Sequence, residues 1–340
     1  MIKEVAMMIK IAVDVMGGDY APQEIIKGIE KARDTYNNLE FNLFGSVEKM
    51  KSLIQNMERL NLIQADSVIT MEDEPVRAVR RKKNSSLVLA AQSVKESKSD
   101  VFLSAGNSGA VLAAGIFVIG RIKGIDRPAL TTTLPVVNEK QEHDFFTMLD
   151  VGANADTKLA NLSQFAILGS FYGKYMNHLQ NPRIGLLNNG TEFDKGDQLH
   201  KQAYEALNNL DEINFIGNVE SRELLNGAAD IVVTDGFTGN AALKAIEGTA
   251  LSMLHLIKYE IKQSVLAQMG YLFERNAFHR VGQKMNYQKY GGAVLLGVQK
   301  PVIKIHGSSK AETVFYGIKQ AKEVVESKLV EKTIDFFTKK

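Results

Sequence analysis

The chain has 340 residues, and its 41 basic and 39 acidic side chains leave a net charge of +2. So balanced a charge argues against general binding to nucleic acids or other polyanions. The chain contains no cysteine, which excludes a disulfide framework, a thiolate metal site and a cysteine-thioester enzyme intermediate. No run of about 18 apolar residues occurs, and the N-terminus lacks the apolar stretch of a signal peptide, so we expect a cytoplasmic protein.

Short apolar strands alternate with helical patterns along the chain. The strand signals lie at 9–13, 41–45, 68–71, 101–103, 129–137, 147–151, 183–188, 215–220, 231–234, 291–298 and 302–305. Helical patterns lie between them, at 46–56, 110–119, 249–269 and about 310–328 among others. This alternation, with short glycine turns, predicts a mostly parallel, Rossmann-like layered α/β sheet with helices on both faces.

Five of the strands end in turns that are rich in Asp, Asn, Gly and hydroxyl residues, at 14–19, 104–109, 150–154, 188–196 and 235–240. In this fold class ligands bind outside the carboxyl ends of the strands. A strand that ends in a glycine turn and opens a helix also presents free backbone N–H groups to an anion. The turns at 104–109 and 235–240 both combine Gly-Asn with a hydroxyl residue, Ser108 and Thr238. They therefore predict a site for a phosphate or a developing oxyanion.

Two side chains near these turns carry possible chemistry. Lys195 is the lysine within the turn at 188–196, and it can reach a phosphate as a mobile point charge. His306 ends a strand beside Ser308 and can titrate near neutral pH. An ordinary surface lysine and a merely hydrogen-bonded histidine are the alternative interpretations.

Two further segments have two interpretations each. The densest basic run is Arg77 to Lys83, which is either a solvated helix face or a docking patch for an acidic partner. The long helical pattern at 249–269 is followed by mixed aromatic and basic residues. That region is either a core or subunit-interface helix or an edge that rests on a membrane surface.

Several common motifs are missing from the sequence. The glycine spacing fits neither the dinucleotide fingerprint nor the P-loop, and His-Glu-x-x-His and Gly-x-Ser-x-Gly are absent. The scattered histidines show no metal-ligand spacing. What remains suits a reaction in which the protein positions an external nucleophile and stabilises charge.

Taken together, the turns resemble those of the PlsX family of acyl-acyl carrier protein:phosphate acyltransferases. The segments that carry the resemblance are 12–19, 104–110, 149–154, 185–196, 234–244, 291–298 and 306–309. They occur in the family's order over almost the whole chain. The departures are small: Ser108 stands where the family usually has Thr, Asn189 where Ile is usual, Val294 where Pro is usual, and Thr157 where Cys is common.

The resemblance implies an activity and its partners. Inorganic phosphate and a long-chain acyl thioester of acyl carrier protein would give acyl phosphate, which glycerol-3-phosphate acyltransferase uses next in bacterial phospholipid synthesis. It also implies a fold similar to isocitrate and isopropylmalate dehydrogenases and to phosphotransacetylase, a homodimer, peripheral membrane association, and no metal or organic cofactor. We expect one catalytic α/β domain over 8–340, with a helical hairpin at 250–285 for dimer or membrane contact.

The resemblance and the turns together assign the site residues. The expected catalytic residues are Lys195, Asn240 and His306. The expected substrate-binding residues are Asp14, Gly17, Gly18, Asn107, Ser108, Asp150, Asn154, Asn188, Thr191, Asp235, Thr238 and Ser308. We expect phosphate between the Asn107/Ser108 turn and the Thr238/Asn240 turn, with Lys195 as its counter-charge, while acyl carrier protein meets the run from Arg77 to Lys83.

Three other functions compete with this one. A short-chain phosphate acyltransferase that acts on coenzyme A thioesters would share the chemistry and differ in acyl donor. A nicotinamide-dependent decarboxylating dehydrogenase of similar fold would need clustered metal-binding aspartates, whereas Asp14, Asp150 and Asp235 lie on separate turns. A non-catalytic lipid or carrier-binding scaffold would not need polar residues at five strand ends.

Overall fold

A computed structural model of the chain describes residues 7–139, 141–285 and 287–339. Lys340, the last residue of the expected domain, lies outside the described residues. The chain divides into two compact units. The first contains residues up to Thr132, Ser170–Gln180 and Gln288 onwards, and the second contains Thr133–Gly169 and Asn181–Tyr287.

The described residues form eleven strands. They are β1 (Ile9–Asp14), β2 (Leu39–Gly45), β3 (Leu60–Gln64), β4 (Val101–Ser104), β5 (Ala129–Pro135), β6 (Phe145–Leu149), β7 (Arg183–Asn188), β8 (Asn214–Glu220), β9 (Ile231–Val233), β10 (Ala293–Leu296) and β11 (Val302–Lys304). Their residues are mostly apolar or β-branched, as buried strands of a parallel sheet require.

Eleven α-helices occur in the same described ranges. They are α1 (Gln23–Thr35), α2 (Val47–Leu53), α3 (Pro75–Arg81), α4 (Ser86–Lys95), α5 (Ser108–Ala114), α6 (Leu159–Tyr175), α7 (Gln198–Asn208), α8 (Gly236–Gln263), α9 (Val265–Lys284), α10 (Ala311–Glu326) and α11 (Leu329–Lys339). A π-helical turn follows α5 at Gly115–Ile119, and 3₁₀ turns lie at Ser221–Asn226 and Tyr287–Tyr290. Side chains at the N-caps of seven helices accept a hydrogen bond from a backbone N–H three residues ahead: Ser46, Glu74, Ser85, Asn107, Asp197, Asp235 and Ser264. These caps explain where those helices begin.

The sheet of the first unit has the order β3-β2-β1-β4-β11-β10, and the first residues of β5 pair with β10. All neighbours are parallel except β10, which runs antiparallel to both β11 and β5. Helix α4 packs against β1, β2 and β4, while α1 and α10 pack on each other. Their close approach needs glycine, since a Cβ on Gly28 would lie 2.5 Å from the Cβ of Val314.

The second unit contains the parallel order β6-β9-β7-β8. Its largest fully buried side chains include Phe146 and Phe165, and those of the first unit include Phe41 and Phe102. Each unit is therefore built around its own apolar core. The expected α/β fold with a mostly parallel sheet and flanking helices is confirmed.

Two element assignments from the sequence are wrong. The segment 68–71 is not a strand; the strand of this region is Leu60–Gln64, and Ser67 makes an isolated bridge with Ser85. The helical pattern at 249–269 is not one helix, because the chain breaks at Ser264, which is extended and caps α9. Among the described residues no helix is long and apolar enough to cross a membrane.

Candidate active site

The first unit brings two of the five polar turns, 14–19 and 104–109, together with the turn at 306–309 at one sheet edge. Strand β4 lies between β1 and β11, and its last residue, Ser104, pairs in register with Asp14 on one side and Lys304 on the other. Because these strands are parallel, the turns that follow them lie side by side. The expected residues at this edge are Asp14, Gly17, Gly18, Asn107, Ser108, His306 and Ser308.

Asp14 is buried, with 2% of its surface exposed. Its Oδ2 accepts a hydrogen bond from Ser104 Oγ at 2.8 Å, and Ser104 Oγ accepts one from the Gly106 N–H at 2.9 Å. Burial raises the pKa of Asp14, and the hydrogen bond from Ser104 acts in the opposite direction. Asp14 therefore supports the turn at 104–109 from beneath.

Glycines allow the turns of this edge to touch. A Cβ on Gly17 would lie 2.7 Å from the backbone nitrogen of Gly106, and Gly18 has a φ of +111°. The backbone N–H of Asp19 donates to the Gly307 carbonyl at 2.8 Å. The turns after β1, β4 and β11 are thus packed backbone to backbone, which leaves no room for larger residues at these two glycines.

The Asn107 side chain is engaged within the protein. Its Oδ1 accepts a hydrogen bond from the Ala110 N–H at 3.1 Å and caps α5. Its Nδ2 lies 3.2 Å from each of three carbonyl oxygens, those of Thr70, Met71 and Asp73. Ser108, in contrast, is exposed. A ligand at this turn would therefore meet the Ser108 hydroxyl before the Asn107 amide.

His306 is exposed and tied to the residue two positions ahead. Its Nδ1 accepts a hydrogen bond from the Ser308 N–H at 3.2 Å and lies 2.8 Å from Ser308 Oγ. Because Nδ1 accepts, the proton of the neutral ring is on Nε2. His306 therefore has the tautomer that can donate from Nε2 to an oxyanion or a leaving group.

The second unit gathers the other three turns. Val233 of β9 pairs in register with Leu149 of β6 and with Leu186 of β7. The turns after these strands lie at one edge for the same reason as in the first unit. The expected residues at this edge are Asp150, Asn154, Asn188, Thr191, Lys195, Asp235, Thr238 and Asn240.

Asp150 is fully buried and accepts hydrogen bonds from its own loop. Its Oδ1 accepts from the N–H groups of Gly152 and Ala153 at 3.2 and 3.0 Å. Its Oδ2 accepts from the backbone N–H and the side-chain Nδ2 of Asn154 at 2.7 and 2.8 Å. A Cβ on Gly239 would lie 2.0 Å from the Asp150 carbonyl oxygen. Asp150 and Asn154 thus shape the surface on which the first turn of α8 packs.

The start of α8 presents exposed polar side chains. Asp235 caps the helix by accepting from the Thr238 N–H at 2.8 Å. Thr238 and Asn240 are exposed within the first turn or so of this 28-residue helix. The partial positive charge of a helix N-terminus favours an anion there. These two side chains are therefore placed to contact one.

The turn that carries Lys195 is ordered by Asn188. Asn188 Nδ2 donates to the Lys195 carbonyl at 3.2 Å and to Asn218 Oδ1 at 3.1 Å. The Lys195 Nζ lies 3.9 Å from Glu192 Oε2, both side chains are about half exposed, and Thr191 is exposed beside them. Such a pair is weak in water, so the ammonium group can turn to a stronger anion. Within the described ranges no three His, Asp or Glu side chains are grouped so as to hold a metal ion.

The second unit also contains an open apolar cavity of about 1170 Å³. Its polar lining includes Asn188, Asn189, Asp197, His200 and Thr238, and its apolar lining includes Leu224, Leu225, Ala241, Ala242, Ala245, Ile246, Ala250, Met253, Leu254, Ile257, Val281 and Met285. Because Thr238 and Ile257 both line it, the cavity follows α8 for roughly 28 Å at 1.5 Å per residue. It therefore joins the polar start of α8 to apolar side chains of α8 and α9.

The sequence analysis missed this cavity and one polar group in its wall. The alanines at 241, 242, 245 and 250 were the available signal, since they leave space beside α8. His200 lies in the wall, and its Nδ1 is 2.7 Å from Asp197 Oδ1. Hydrogen bonds from the His200 backbone N–H and from its ring lower the pKa of Asp197.

Comparison with known sequences gives one consistent result. The family described as "Fatty acid synthesis protein" matches residues 9–332. A phosphate acyltransferase of Levilactobacillus brevis is 62% identical over 319 residues, covering 94% of this chain and 92% of that protein. A phosphate acyltransferase of Pediococcus pentosaceus is 58% identical over 329 residues, covering 96% and 94%.

Solved structures share the fold at low identity. A phosphotransacetylase from Streptococcus pyogenes superposes with a TM-score of 0.63 at 17% identity and covers 94% of both chains. A branched-chain phosphotransacylase from Enterococcus faecalis gives 0.59 at 14% identity and covers 94% of this chain and 99% of that one. The expected similarity to the phosphotransacetylase fold is confirmed.

The buried Asp14 predicts a pH dependence of stability. The folded-state pKa of Asp14 is raised. The contribution of Asp14 to the free energy of unfolding is therefore fully present below its unfolded-state pKa of about 3.9 and is lost as the pH rises through its folded-state pKa. We expect wild type to lose unfolding free energy relative to Asp14→Asn as the pH rises above about 4. Urea unfolding of both proteins at several pH values measures this difference. The exposed Asp211→Asn variant is the control, and a pH-independent difference for Asp14→Asn would contradict the assignment.

Proposed function

Because the chain belongs to the family of fatty acid synthesis proteins whose relatives are phosphate acyltransferases, we propose that it transfers a long-chain acyl group from acyl carrier protein to inorganic phosphate. Membership of the family makes the chain an acyltransferase. The acyl length and the donor are the proposal. The product, an acyl phosphate, would be the acyl donor for glycerol-3-phosphate acyltransferase in phospholipid synthesis.

The observation that carries the proposal is the apolar cavity along α8. The hydrocarbon core of a bilayer, two acyl chains thick, is about 30 Å, so one long chain spans roughly half of that. A cavity that follows α8 for roughly 28 Å accommodates such a chain with its carbonyl near Thr238. An enzyme that acts on short acyl chains would not need the apolar side chains of Met253, Ile257 and Met285 in the cavity lining. The cavity therefore favours the long-chain reaction over the short-chain coenzyme A alternative.

The proposed chemistry is a displacement at the thioester carbonyl. A phosphate oxygen attacks the carbonyl carbon, the new O–C bond forms, and the C–S bond breaks with its electron pair leaving on sulfur. By analogy with phosphoryl groups, phosphate has a second pKa of about 6 to 7 and is already anionic near neutral pH, so it needs no strong base. The attacking hydrogen phosphate loses its proton as the acyl phosphate forms, and that proton goes to the leaving thiolate. We assign to His306 a hydrogen bond from Nε2 to the charge that develops on the thioester group.

Each remaining catalytic residue has one role in this scheme. Lys195 supplies positive charge to the phosphate, and the Asn240 amide donates to an oxygen that gains charge in the transition state. Ser108 and Thr238 offer hydroxyl hydrogen bonds to phosphate. Asp14, Asp150 and Asn154 act indirectly. Their side chains hold the turns that carry the substrate-contacting residues and do not contact the substrate themselves.

The choice of acyl donor tests the function directly. We expect acyl phosphate, trapped with hydroxylamine, from palmitoyl-acyl carrier protein and inorganic phosphate without added metal or nucleotide. Replacing Ala245 with Phe should narrow the cavity and shift the preferred acyl length to shorter chains. Turnover of acetyl-coenzyme A with no product from the carrier thioester would establish the short-chain alternative instead.

The roles of Lys195 and Asn240 are tested by truncation. We expect Lys195→Ala and Asn240→Ala each to lower kcat by roughly a hundredfold or more at saturating phosphate, because each removes a group that stabilises charge in the transition state. Lys201→Ala, another exposed lysine of the same unit, is the control and should stay near wild type. Near-normal kcat in both test variants would overturn the assignment.

The helices α8 and α9 support the proposed membrane contact and homodimer. No residue of α9 is buried, and Leu266 and Phe273 are 79% and 85% exposed. Lys258, Lys262 and Arg275 lie on the same two helices, where they can meet anionic lipid headgroups. We place the membrane contact at the end of the hairpin near Ser264 and the dimer contact along exposed apolar residues of α8 that do not line the cavity, among them Leu251, Leu256 and Tyr259.

Charged substitutions at the end of this hairpin test the membrane contact. Leu266→Asp combined with Phe273→Asp should abolish most sedimentation with anionic phospholipid vesicles, because burying apolar area drives such binding. Leu254, on α8, is a poorer target, since it is only partly exposed and lines the cavity. Met57→Asp, at an exposed apolar residue of the first unit, is the control. Unchanged sedimentation of the double variant would remove the membrane contact from the proposal.

A further inference from the structure

The basic run from Arg77 to Lys83 is divided by the helix it forms. On α3, Ala78 and Val79 are buried, whereas Arg77, Arg80 and Arg81 are exposed. Lys82 points inward: its Nζ lies 2.6 Å from Asp73 Oδ2 and 3.0 Å from the Val68 carbonyl oxygen. The outward cations are therefore Arg77, Arg80, Arg81 and Lys83. Within the described residues none of these four makes an ion pair.

The acidic residues next to this run do not cancel its charge. Asp73 is paired with Lys82. Glu74 caps α3, where its carboxylate accepts from the N–H groups of Val76 and Arg77 at 3.2 and 2.7 Å. Glu72 is exposed, and Glu74 keeps its negative charge while it caps the helix. The four exposed cations outnumber these two carboxylates, so the surface keeps a net positive charge.

Apolar side chains lie among the cations. Phe117, from the π-helical turn, is 53% exposed, and the guanidinium carbon of Arg80 lies 5.3 Å from its ring centroid. Val76 and Met71 are 36% and 43% exposed. Arginine and aromatic side chains are enriched at the centres of protein interfaces. A solvated helix face would not need this exposed aromatic group.

The same face is fixed to the polar turns of the first unit. A Cβ on Gly109 would lie 2.5 Å from Pro75 Cγ, at the first residue of α3. Asn107 donates to the carbonyls of the segment that leads into α3. The Met71 Cε would be 2.8 Å from a Cβ on Gly307. A protein that docks on α3 therefore sits beside Ser108 and the turn of His306.

We propose that this surface, made of Val76, Arg77, Arg80, Arg81, Lys83 and Phe117, is where acyl carrier protein docks during the reaction. The inference rests on the proposed function. It adds where acyl carrier protein binds and which side chains contact it. Acyl carrier protein is acidic, so its charge complements the four unpaired cations. Its thioester-bearing arm then starts next to the Ser108 turn. Because the whole chain has a net charge of only +2, the excess of positive charge is a local feature of this surface.

The test is a charge reversal that compares two acyl donors. Arg77→Glu combined with Arg81→Glu should raise KM for palmitoyl-acyl carrier protein roughly tenfold or more and leave kcat within about twofold. With palmitoyl-coenzyme A, which lacks the protein, both constants should stay near wild type. The wild-type KM for the carrier should rise with salt, and that of the variant should rise less. Phe117→Ala should raise KM for the carrier alone.

Lys49→Glu with Lys51→Glu is the matched control, because it makes the same charge change at exposed lysines of α2. An equal KM effect in the control would overturn the docking surface, and so would an unchanged carrier KM in the test variant. Loss of coenzyme A thioester turnover in the test variant, or loss of vesicle binding with normal carrier KM, would also overturn it. Failure of wild type to use the carrier thioester at all would instead defeat the proposed function.

Discussion

Two buried aspartates hold the turns on which the candidate site depends. Asp14 accepts from Ser104, which in turn orders the turn before Asn107, and Asp150 accepts four hydrogen bonds from the loop that follows it. Both oxygens of Asp150 and the Oδ2 of Asp14 accept hydrogen bonds, which lower the cost of burying these carboxyl groups. Each aspartate therefore favours one particular conformation of its loop. That conformation brings Gly17 and Gly239 to backbone contacts that no side chain could enter. The buried aspartates and the closely packed glycines thus position the exposed groups, such as Ser108, Thr238 and Asn240.

Much of the fold and the grouping of the polar turns at the sheet edges follow from the sequence, because parallel strands repeat a pattern that is local. Apolar strands with glycine turns predicted the sheet, and the polar strand ends predicted which edge would carry the site. The misplaced strand at 68–71 shows the limit: a short apolar run has no feature that separates a strand from a buried loop. The break at Ser264 is the other case, since the apolar periodicity continues through the capping serine.

The roles of individual polar residues were harder to predict, because hydrogen-bond partners depend on loops that meet only in the folded chain. Asn107, Asp150 and Asn154 resembled ligand groups in the sequence, yet the hydrogen bonds described for them are to the protein itself. Asn107 bonds to its own turn and to the segment before α3, and Asp150 and Asn154 bond within their own loop. The basic run shows the same effect on a helix. The residues of α3 divide into an outward and an inward face, because the helix turns by about 100° per residue. Lys82, just after the helix, turns towards Asp73 and is only partly exposed. The cavity had the weakest signal of all, since it is defined by the absence of side-chain volume at four alanines.

The cavity and the polar turns divide the proposed work between binding and catalysis. Each buried CH₂ contributes about 0.8 kcal/mol, so a long chain in the cavity binds strongly both before and after the acyl transfer. Such uniform binding lowers KM and selects chain length but does not speed the chemical step. The acceleration must then come from groups that meet charge only in the transition state, which are Lys195, Asn240 and His306 in our assignment. The same affinity holds the acyl phosphate after it forms. An apolar destination outside the cavity, such as the lipid surface proposed for the end of the α8–α9 hairpin, offsets that affinity and so permits turnover.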